Sequence, residues 1–151
     1  MTVQLDATAA DAYAVLTDFA NLTEINPAVQ RASVRSQEGP TEAVLETEVQ
    51  VCVLWFCKQL QQVQDMQWQP LENGGGTLMA DVRPDESNLR YGHAQWRIWT
   101  CESRSCLSFV AEIEPDFWVP PLIGPWVIKR KLEQEALQTS EGIERLAKQL
   151  R

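Results

Sequence analysis

The spacing of hydrophobic residues changes near the C-terminus of the chain, and this change constrains the fold more than any other feature. From residue 128 onward, apolar or small residues recur at steps of three and four, and charged residues occupy the positions between them. This spacing predicts a long amphipathic helix, with Pro125 in its first turn, where proline is tolerated. The predicted buried stripe contains Ile128, Leu132, Ala136, Thr139, Ile143, Leu146, Ala147 and Leu150.

Residues 29–114 are instead typical of β-strands. Between residues 41 and 53 the apolar side chains fall at odd positions, from Ala43 to Val53, and Glu46, Glu48 and Gln50 lie between them. This alternation predicts strands with one buried face. With a short strand at residues 3–6, we count seven strands, and the short turns between them favour an antiparallel sheet.

Two short helices are predicted between the first and second strands. Thr8 is a candidate N-cap for the first helix, because Asp11 follows it three residues later, and Asn21 begins a second helix that Pro27 stops. The apolar face of the sheet needs a cover, and only the C-terminal helix is long enough. We therefore predict an α+β fold in which a seven-stranded, curved antiparallel sheet wraps around the long C-terminal helix. It forms one domain over residues 1–151.

The charge of the chain excludes one class of partner. Its formal net charge is −8, and binding to a phosphate backbone requires a basic surface, so we expect no nucleic-acid partner. The N-terminus lacks the pattern of a signal peptide, and no apolar run reaches the length of a membrane span. We therefore expect a cytoplasmic location.

The four cysteines form two pairs with the same spacing, Cys52 with Cys57 and Cys101 with Cys106. Four thiolates could hold zinc, but the two turns concerned lie at opposite ends of an antiparallel meander, which argues against a shared ion. A cross-strand disulfide within each hairpin is a second alternative. In a reducing compartment we favour buried free thiols, and we predict no metal site.

Four short features occur together in this chain: Ala7, residues 15–19 (VLTDF), residues 25–27 (INP) and the proline-rich segment before the last helix. As a set they resemble the START-like superfamily, which includes polyketide cyclases, coenzyme Q-binding proteins and lipid-transfer domains. The resemblance covers the whole chain in element order. It implies a helix-grip fold with a cavity between the sheet and the helix that accepts an apolar molecule, such as a lipid, a quinone or a polyketide-like compound. We predict no cofactor.

The alternation within the strands predicts which side chains face this cavity. Small residues beside large ones leave space against a helix, and residues 92–98 combine Gly92 and Ala94 with Trp96 and Ile98 at alternate positions. The glutamines between residues 56 and 68 are interpreted as a solvated outer face. The predicted ligand contacts are Val49, Val51, Trp96, Ile98, Phe109, Leu132 and Ala136.

An enzyme of the aromatase/cyclase kind is the alternative to a non-catalytic carrier. It would require the opposite face of the same strand to point inward, so that Tyr91, His93 or Arg97 lies inside the cavity and positions a polyketide-like substrate. If the apolar face points inward, His93 lies on the surface, and we favour this orientation. No other arrangement of residues in the chain is typical of a catalytic centre, so the sequence favours binding over catalysis.

Residues 117–126 (FWVPPLIGPW) combine large apolar side chains with three prolines, which exclude a regular strand. We predict that Trp118, Leu122 and Trp126 form a gate over the cavity. Two other interpretations remain open. The segment could make transient contact with a membrane surface through Trp118 and Trp126, helped by Lys129, Arg130 and Lys131, or it could pack on a small core of its own.

Overall fold

The computed structural model describes residues 1–72 and 74–150, and its sheet has the predicted architecture. Seven antiparallel strands lie side by side in the order β1-β7-β6-β5-β4-β3-β2. Each neighbouring pair except β1 and β7 is consecutive in the chain, as expected for a meander. The strands are β1 (Thr2–Leu5), β2 (Val29–Gly39), β3 (Glu42–Val53), β4 (Phe56–Pro70), β5 (Gly76–Val82), β6 (Leu89–Cys101) and β7 (Arg104–Pro115).

Within the described residues, three α-helices and two short 3-10 helices (Phe19–Asn21 and Pro84–Glu86) accompany the sheet, and the α-helices confirm the predicted helix-grip arrangement. Helix α1 (Ala9–Leu16) and the short helix α2 (Leu22–Ile25) lie between β1 and β2, and α3 (Pro125–Lys148) follows β7. The Thr8 hydroxyl accepts a hydrogen bond from the Asp11 backbone N–H at 3.2 Å, which caps α1. Proline occupies the first turn of α3, where its missing N–H is harmless.

The sheet curves around α3, and irregular pairing accompanies that curvature. The register between β2 and β3 shifts at three places, and that between β6 and β7 shifts once, between Leu89 and Tyr91. Such bulges bend a strand and increase its twist. They therefore help the edge of the sheet to fold over the helix.

Helix α3 packs on the inner face of the sheet through small and branched side chains. Ala136, Ile143 and Ala147 are buried in one cluster with residues such as Leu5 and Leu107. The predicted stripe is wrong at its last member, because the helix ends at Lys148 and Leu150 is exposed beyond it. No helix in the described ranges is long and apolar enough to cross a membrane.

The prediction of free thiols is wrong. Cys52 is bonded to Cys57, with their Cα atoms 4.0 Å apart, and Cys101 is bonded to Cys106, with their Cα atoms 5.8 Å apart. Each bond joins the two strands of one hairpin, the second of the alternatives that the spacing left open. Since disulfides form and persist in oxidising surroundings, this pairing weakens the argument for a cytoplasmic location.

Candidate ligand-binding cavity

A cavity of about 270 Å³ lies between the inner face of the sheet and the helices. Helix α3 contributes Leu132, Glu135 and Thr139, and α1, α2 and the turn between them contribute mainly apolar side chains such as Phe19 and Ile25. Strands β3 to β7 form the opposite wall. The cavity therefore occupies the space that a fully packed core would fill in most proteins of this size.

Three alanines in a row explain why space remains there. Ala80 on β5 is paired with Ala94 on β6, and Ala94 is paired with Ala111 on β7, so the three lie directly beside one another across the sheet. All three line the cavity. Because an alanine side chain ends at Cβ, this row cannot reach α3, and the gap between sheet and helix stays open.

Large apolar residues border the alanine row. On one side Leu78, Trp96 and Phe109 form the next cross-strand row, and the rings of Trp96 and Phe109 have their centroids 4.3 Å apart. On the other side a Cβ at Gly92 would come within 2.6 Å of a Val82 methyl group, so that end is closely packed. The cavity wall is therefore closely packed on both sides of the row.

A second cavity, of about 210 Å³, continues from the first toward the beginning of α3. The two share wall residues on the sheet and on α3, including Val49, Leu89 and Leu132. The second cavity also reaches Val53, beside the β3–β4 turn, and Ile128, in the first turns of α3. The lining of the two cavities thus extends from the centre of the molecule to the end of β3, beside the turn at residues 54–55.

One polar side chain at the edge of both cavities, that of Asn26, makes several hydrogen bonds to its neighbours. Asn26 is buried, and its amide donates hydrogen bonds to the Glu135 carboxylate (3.0 Å) and to the Thr139 hydroxyl (3.1 Å). Its carbonyl oxygen accepts one from the Ala28 backbone N–H at 2.9 Å. The Glu135 carboxylate also pairs with Lys131 at 3.0 Å. Asn26 therefore links the end of α2 to α3.

The interpretation of the β4 glutamines as an outer face is wrong for two of them. Gln62 and Gln64 line the main cavity, opposite Thr47 and Leu45 respectively in the pairing with β3. They lie on the same face of β4 as Leu60 and Met66, which are buried. The alternation could have revealed this inward position, but the polarity of the side chains pointed the other way. Thr47 was overlooked for the same reason.

The predicted ligand contacts fall into three groups. Val49, Trp96, Phe109 and Leu132 line the main cavity, and Val51 lines the second cavity. Ile98 and Ala136 are buried in the adjoining core and do not line either cavity.

The predicted gate residues lie outside the cavity walls. The side chains of Trp118, Leu122 and Trp126 are 70%, 78% and 69% exposed, and neither cavity includes them. Nor do these three form a separate packed core, although Ile123 between them is buried. At the β3–β4 turn, Leu54 and Trp55 are equally exposed, at 74% and 69%, a feature that the sequence analysis missed.

Aromatic contacts connect the β3–β4 turn to the segment that follows β7. The Trp55 ring packs edge-on against Phe56, and Phe56 stacks on Phe117, with centroid distances of 6.3 Å and 6.5 Å. Arg130 lies over the ring of Trp126. We call the exposed set, consisting of Leu54, Trp55, Trp118, Leu122 and Trp126, the aromatic tip.

The chain matches one known protein family over nearly its whole length. The model of the family described as polyketide cyclase / dehydrase and lipid transport matches residues 1–150. The chain belongs to this family. The START-like resemblance is therefore confirmed, and it extends over almost the whole chain. No curated protein matches the sequence.

Solved structures of other START-like proteins share the fold at low sequence identity. The Zhui aromatase/cyclase from Streptomyces sp. R1128 superimposes with a TM-score of 0.74 at 15% identity, covering 100% of this chain and 93% of that one. A STAR-related lipid transfer protein from Xanthomonas axonopodis gives 0.73 at 17%, covering 97% and 83%. A START superfamily protein from Mycobacterium smegmatis gives 0.71 at 18%, covering 100% and 97%. At these identities the likeness shows the fold alone.

In this family member, the three residues of the cyclase alternative do not come together in the cavity. Tyr91 is exposed, and Arg97 lies over the ring of Trp99. His93 borders the cavity, but its Nδ1 lies 2.6 Å from an Asp81 carboxylate oxygen, and the side chain of Asp81 is half exposed. Because Asp81 and His93 are paired across β5 and β6, their side chains share the outer face of the sheet.

The described residues also contain no group of three or more His, Cys, Asp or Glu side chains arranged to hold a metal ion. All four cysteines are bonded in pairs, so their sulfur atoms are not available as thiolate ligands. What the geometry offers is an apolar chamber with a small polar region in its wall.

Proposed function

We propose that this protein binds and carries an apolar small molecule, such as a lipid, a quinone or a polyketide-like compound, in the main cavity. The observation that supports this most directly is the alanine row, which leaves about 270 Å³ open beneath α3. Ligand pockets in proteins usually have volumes of about 300 Å³ or more, and the main cavity lies just below that limit. The adjoining cavity gives a longer molecule room to extend.

The energy for binding would come from burial of apolar surface. At roughly 25 cal/mol per Å², a ligand that buries about 200 Å² of apolar area gains about 5 kcal/mol. Loss of translational and rotational freedom opposes this gain, so a rigid or well-fitting ligand binds best. Trp96 and Phe109 offer aromatic contacts that suit a flat ring system or an alkyl chain.

The placement of polar groups supports a carrier rather than a cyclase. A cyclase needs an acid or base that reaches the substrate, and Tyr91 and Arg97 lie outside the cavity walls while the His93 imidazole is engaged by Asp81. The remaining polar groups in the main cavity are mostly amides and hydroxyls. Groups of this kind orient a ligand without transferring protons at neutral pH.

We propose further that the aromatic tip forms the gate of the cavity. The second cavity leads from the main one to Val53 and Ile128, which adjoin the β3–β4 turn and the first turns of α3. Trp118, Leu122 and Trp126 are exposed, and Trp126 precedes Ile128 by two residues in α3. Large apolar side chains that remain in water are costly, so they favour a role in which a ligand or a membrane surface covers them from time to time.

Binding of an uncharged fluorescent probe tests the proposed cavity. We expect N-phenyl-1-naphthylamine to bind the wild-type protein with an increase in fluorescence. Substitution Ala94→Leu, in the middle of the alanine row, should weaken that binding at least tenfold, on the order of 1.4 kcal/mol, because the added methyl groups occupy the cavity. Ala14→Leu is the matched control, since Ala14 is exposed on α1.

Two outcomes would contradict the proposal: a wild-type protein that does not bind the probe, or an Ala94→Leu variant that folds and binds it equally well. Native mass spectrometry of freshly purified protein, followed by organic extraction, would identify a natural ligand. A co-purified lipid, quinone or polyketide-like compound is the expected result.

A further inference from the structure

One polar atom in the cavity wall lacks a partner. Strand β3 points Leu45, Thr47 and Val49 toward α3, and the Thr47 side chain lies between two apolar neighbours with only 5% of its surface exposed. Among the buried side-chain nitrogen and oxygen atoms of residues 1–72 and 74–150, Thr47 Oγ1 alone has no hydrogen-bond partner. A buried hydroxyl without a partner is costly, and proteins rarely leave one in this state.

Two amides lie beside this hydroxyl. Gln62 is directly opposite Thr47 in the β3–β4 pairing, and Gln64 is opposite Leu45, so all three polar side chains share one patch of the inner face. The Gln64 amide nitrogen donates a hydrogen bond to the Gln62 carbonyl oxygen. The Gln62 side-chain nitrogen takes no part in this contact. We call Thr47, Gln62 and Gln64 the polar patch.

The charges around the main cavity decide what the patch can accept. No lysine or arginine is among the described residues that line this cavity. Its one carboxylate, on Glu135, is already engaged by Asn26 and Lys131, and its one histidine, His93, is paired with Asp81. A ligand carboxylate or phosphate placed at the patch would therefore be buried without a counter-charge. Burial of an unpaired charge is far more costly than burial of a neutral group that makes a hydrogen bond.

We propose that the ligand is an apolar molecule bearing an uncharged oxygen, a hydroxyl or a carbonyl, that hydrogen-bonds to Thr47 in the polar patch. The Thr47 hydroxyl both donates and accepts, and a Gln62 N–H donates, so either kind of oxygen can be satisfied. This inference rests on the proposed function, because it names the class of ligand for the same cavity. As ligands, it favours neutral molecules such as alcohols, phenols and ketones over ionised fatty acids.

Three naphthalene derivatives of similar size test the proposal by isothermal titration calorimetry at neutral pH. They are 2-methylnaphthalene, which has no polar group, 2-naphthol, which is uncharged, and 2-naphthoate, which is ionised. We expect the affinity ratio of 2-naphthol to 2-methylnaphthalene to fall about tenfold when Thr47 is replaced in Thr47→Val. Valine has the same shape but no hydroxyl, so only the hydrogen bond is lost. 2-Naphthoate should bind the wild type at least tenfold more weakly than 2-naphthol.

The controls separate this inference from the proposed function. Thr100→Val removes an exposed hydroxyl on β6 and should leave the ratio unchanged. Thr47→Val removes a hydroxyl that has no partner, so it should fold with an equal or higher Tm. Two results would overturn the inference but not the proposed binding cavity. One is an affinity ratio in Thr47→Val within twofold of the wild-type ratio, and the other is 2-naphthoate binding as tightly as 2-naphthol. If none of the three compounds binds the wild type, the proposed function fails as well.

Discussion

Tyr13 shows how one side chain fixes α1 on the sheet. It is buried, its hydroxyl donates a hydrogen bond to the Thr77 carbonyl oxygen at 3.1 Å, and its ring lies over Gly76. A Cβ at Gly76 would come within 2.4 Å of the ring, so glycine is required for this close approach. Burial raises the pKa of the Tyr13 hydroxyl above its ordinary value of 10.0. The structure therefore favours the protonated phenol.

The raised pKa of Tyr13 predicts a loss of stability at high pH. Above about pH 10 the unfolded chain releases the phenol proton and the folded protein retains it, so the free energy of unfolding falls as pH rises through this range. Tyr13→Phe should remove part of this decline above about pH 10, and should cost about 1 kcal/mol at neutral pH for the lost hydrogen bond. Urea unfolding at a series of pH values measures both effects.

Tyr91→Phe is the matched control, because Tyr91 is exposed on β6. It should show the wild-type dependence on pH. Identical pH profiles for Tyr13→Phe and the wild type would show that burial of this phenol does not affect its ionisation.

At the scale of elements, the position of α3 depends on a close contact with the end of α2. Gly142 lies against the backbone of Ile25, and a Cβ at position 142 would be only 1.9 Å from the Ile25 carbonyl oxygen. One turn earlier, Asn26 donates its hydrogen bonds to Glu135 and Thr139 on the same helix. The helix is therefore held at a fixed height above the sheet, and this height determines the depth of the cavity.

Gly142→Ala should destabilise the protein by about 1–3 kcal/mol, because backbone must move to admit the methyl group. The expected change in stability is opposite to the usual one, since replacing glycine with alanine in the interior of a helix ordinarily stabilises a protein by about 0.5–1 kcal/mol. Thermal unfolding measures the change. Gly124→Ala is the control, because a Cβ at position 124 meets nothing within 4 Å. A Gly142→Ala variant as stable as the wild type would contradict the contact.

At the scale of the whole molecule, charge and apolar surface are unevenly distributed. The chain carries a net charge of −8, yet Lys129 and Arg130 lie at the beginning of α3, close to Trp126 in sequence and, for Arg130, over its ring. Lys131, the third member of this basic run, instead pairs with Glu135 at the cavity edge. We propose that the aromatic tip and these two neighbouring cations make transient contact with anionic lipid headgroups.

Co-sedimentation with lipid vesicles tests this surface. We expect wild-type protein to sediment with vesicles of phosphatidylcholine and phosphatidylserine more than with phosphatidylcholine alone, and high salt should reduce the difference. A variant with both Trp118→Ala and Trp126→Ala should lose most of the binding. Val110→Ala, at an exposed apolar position on β7, should retain it. Wild-type protein that stays in the supernatant with both kinds of vesicle would exclude the membrane role.

Local patterns in the sequence were sufficient to predict the order of elements, the antiparallel meander and the covering helix. Alternation also placed Gly92, Ala94 and Trp96 on the inner face, because the two faces of a strand follow from the backbone alone. Residues with an ordinary apolar character, such as Val49 and Leu132, could be assigned to the interior in the same way. These features depend on residues close together in the chain.

Only the tertiary structure decided where the cavity lies and what surrounds it. The alanine row exists because Ala80, Ala94 and Ala111 meet across three strands, and this register depends on pairing between distant segments. The same pairing turned Gln62 inward beside Thr47, against the expectation from their polarity, and brought the cysteines of each hairpin into contact. Alternation identifies the two faces of a strand, but only packing determines which face is enclosed and how much space remains beneath the helix.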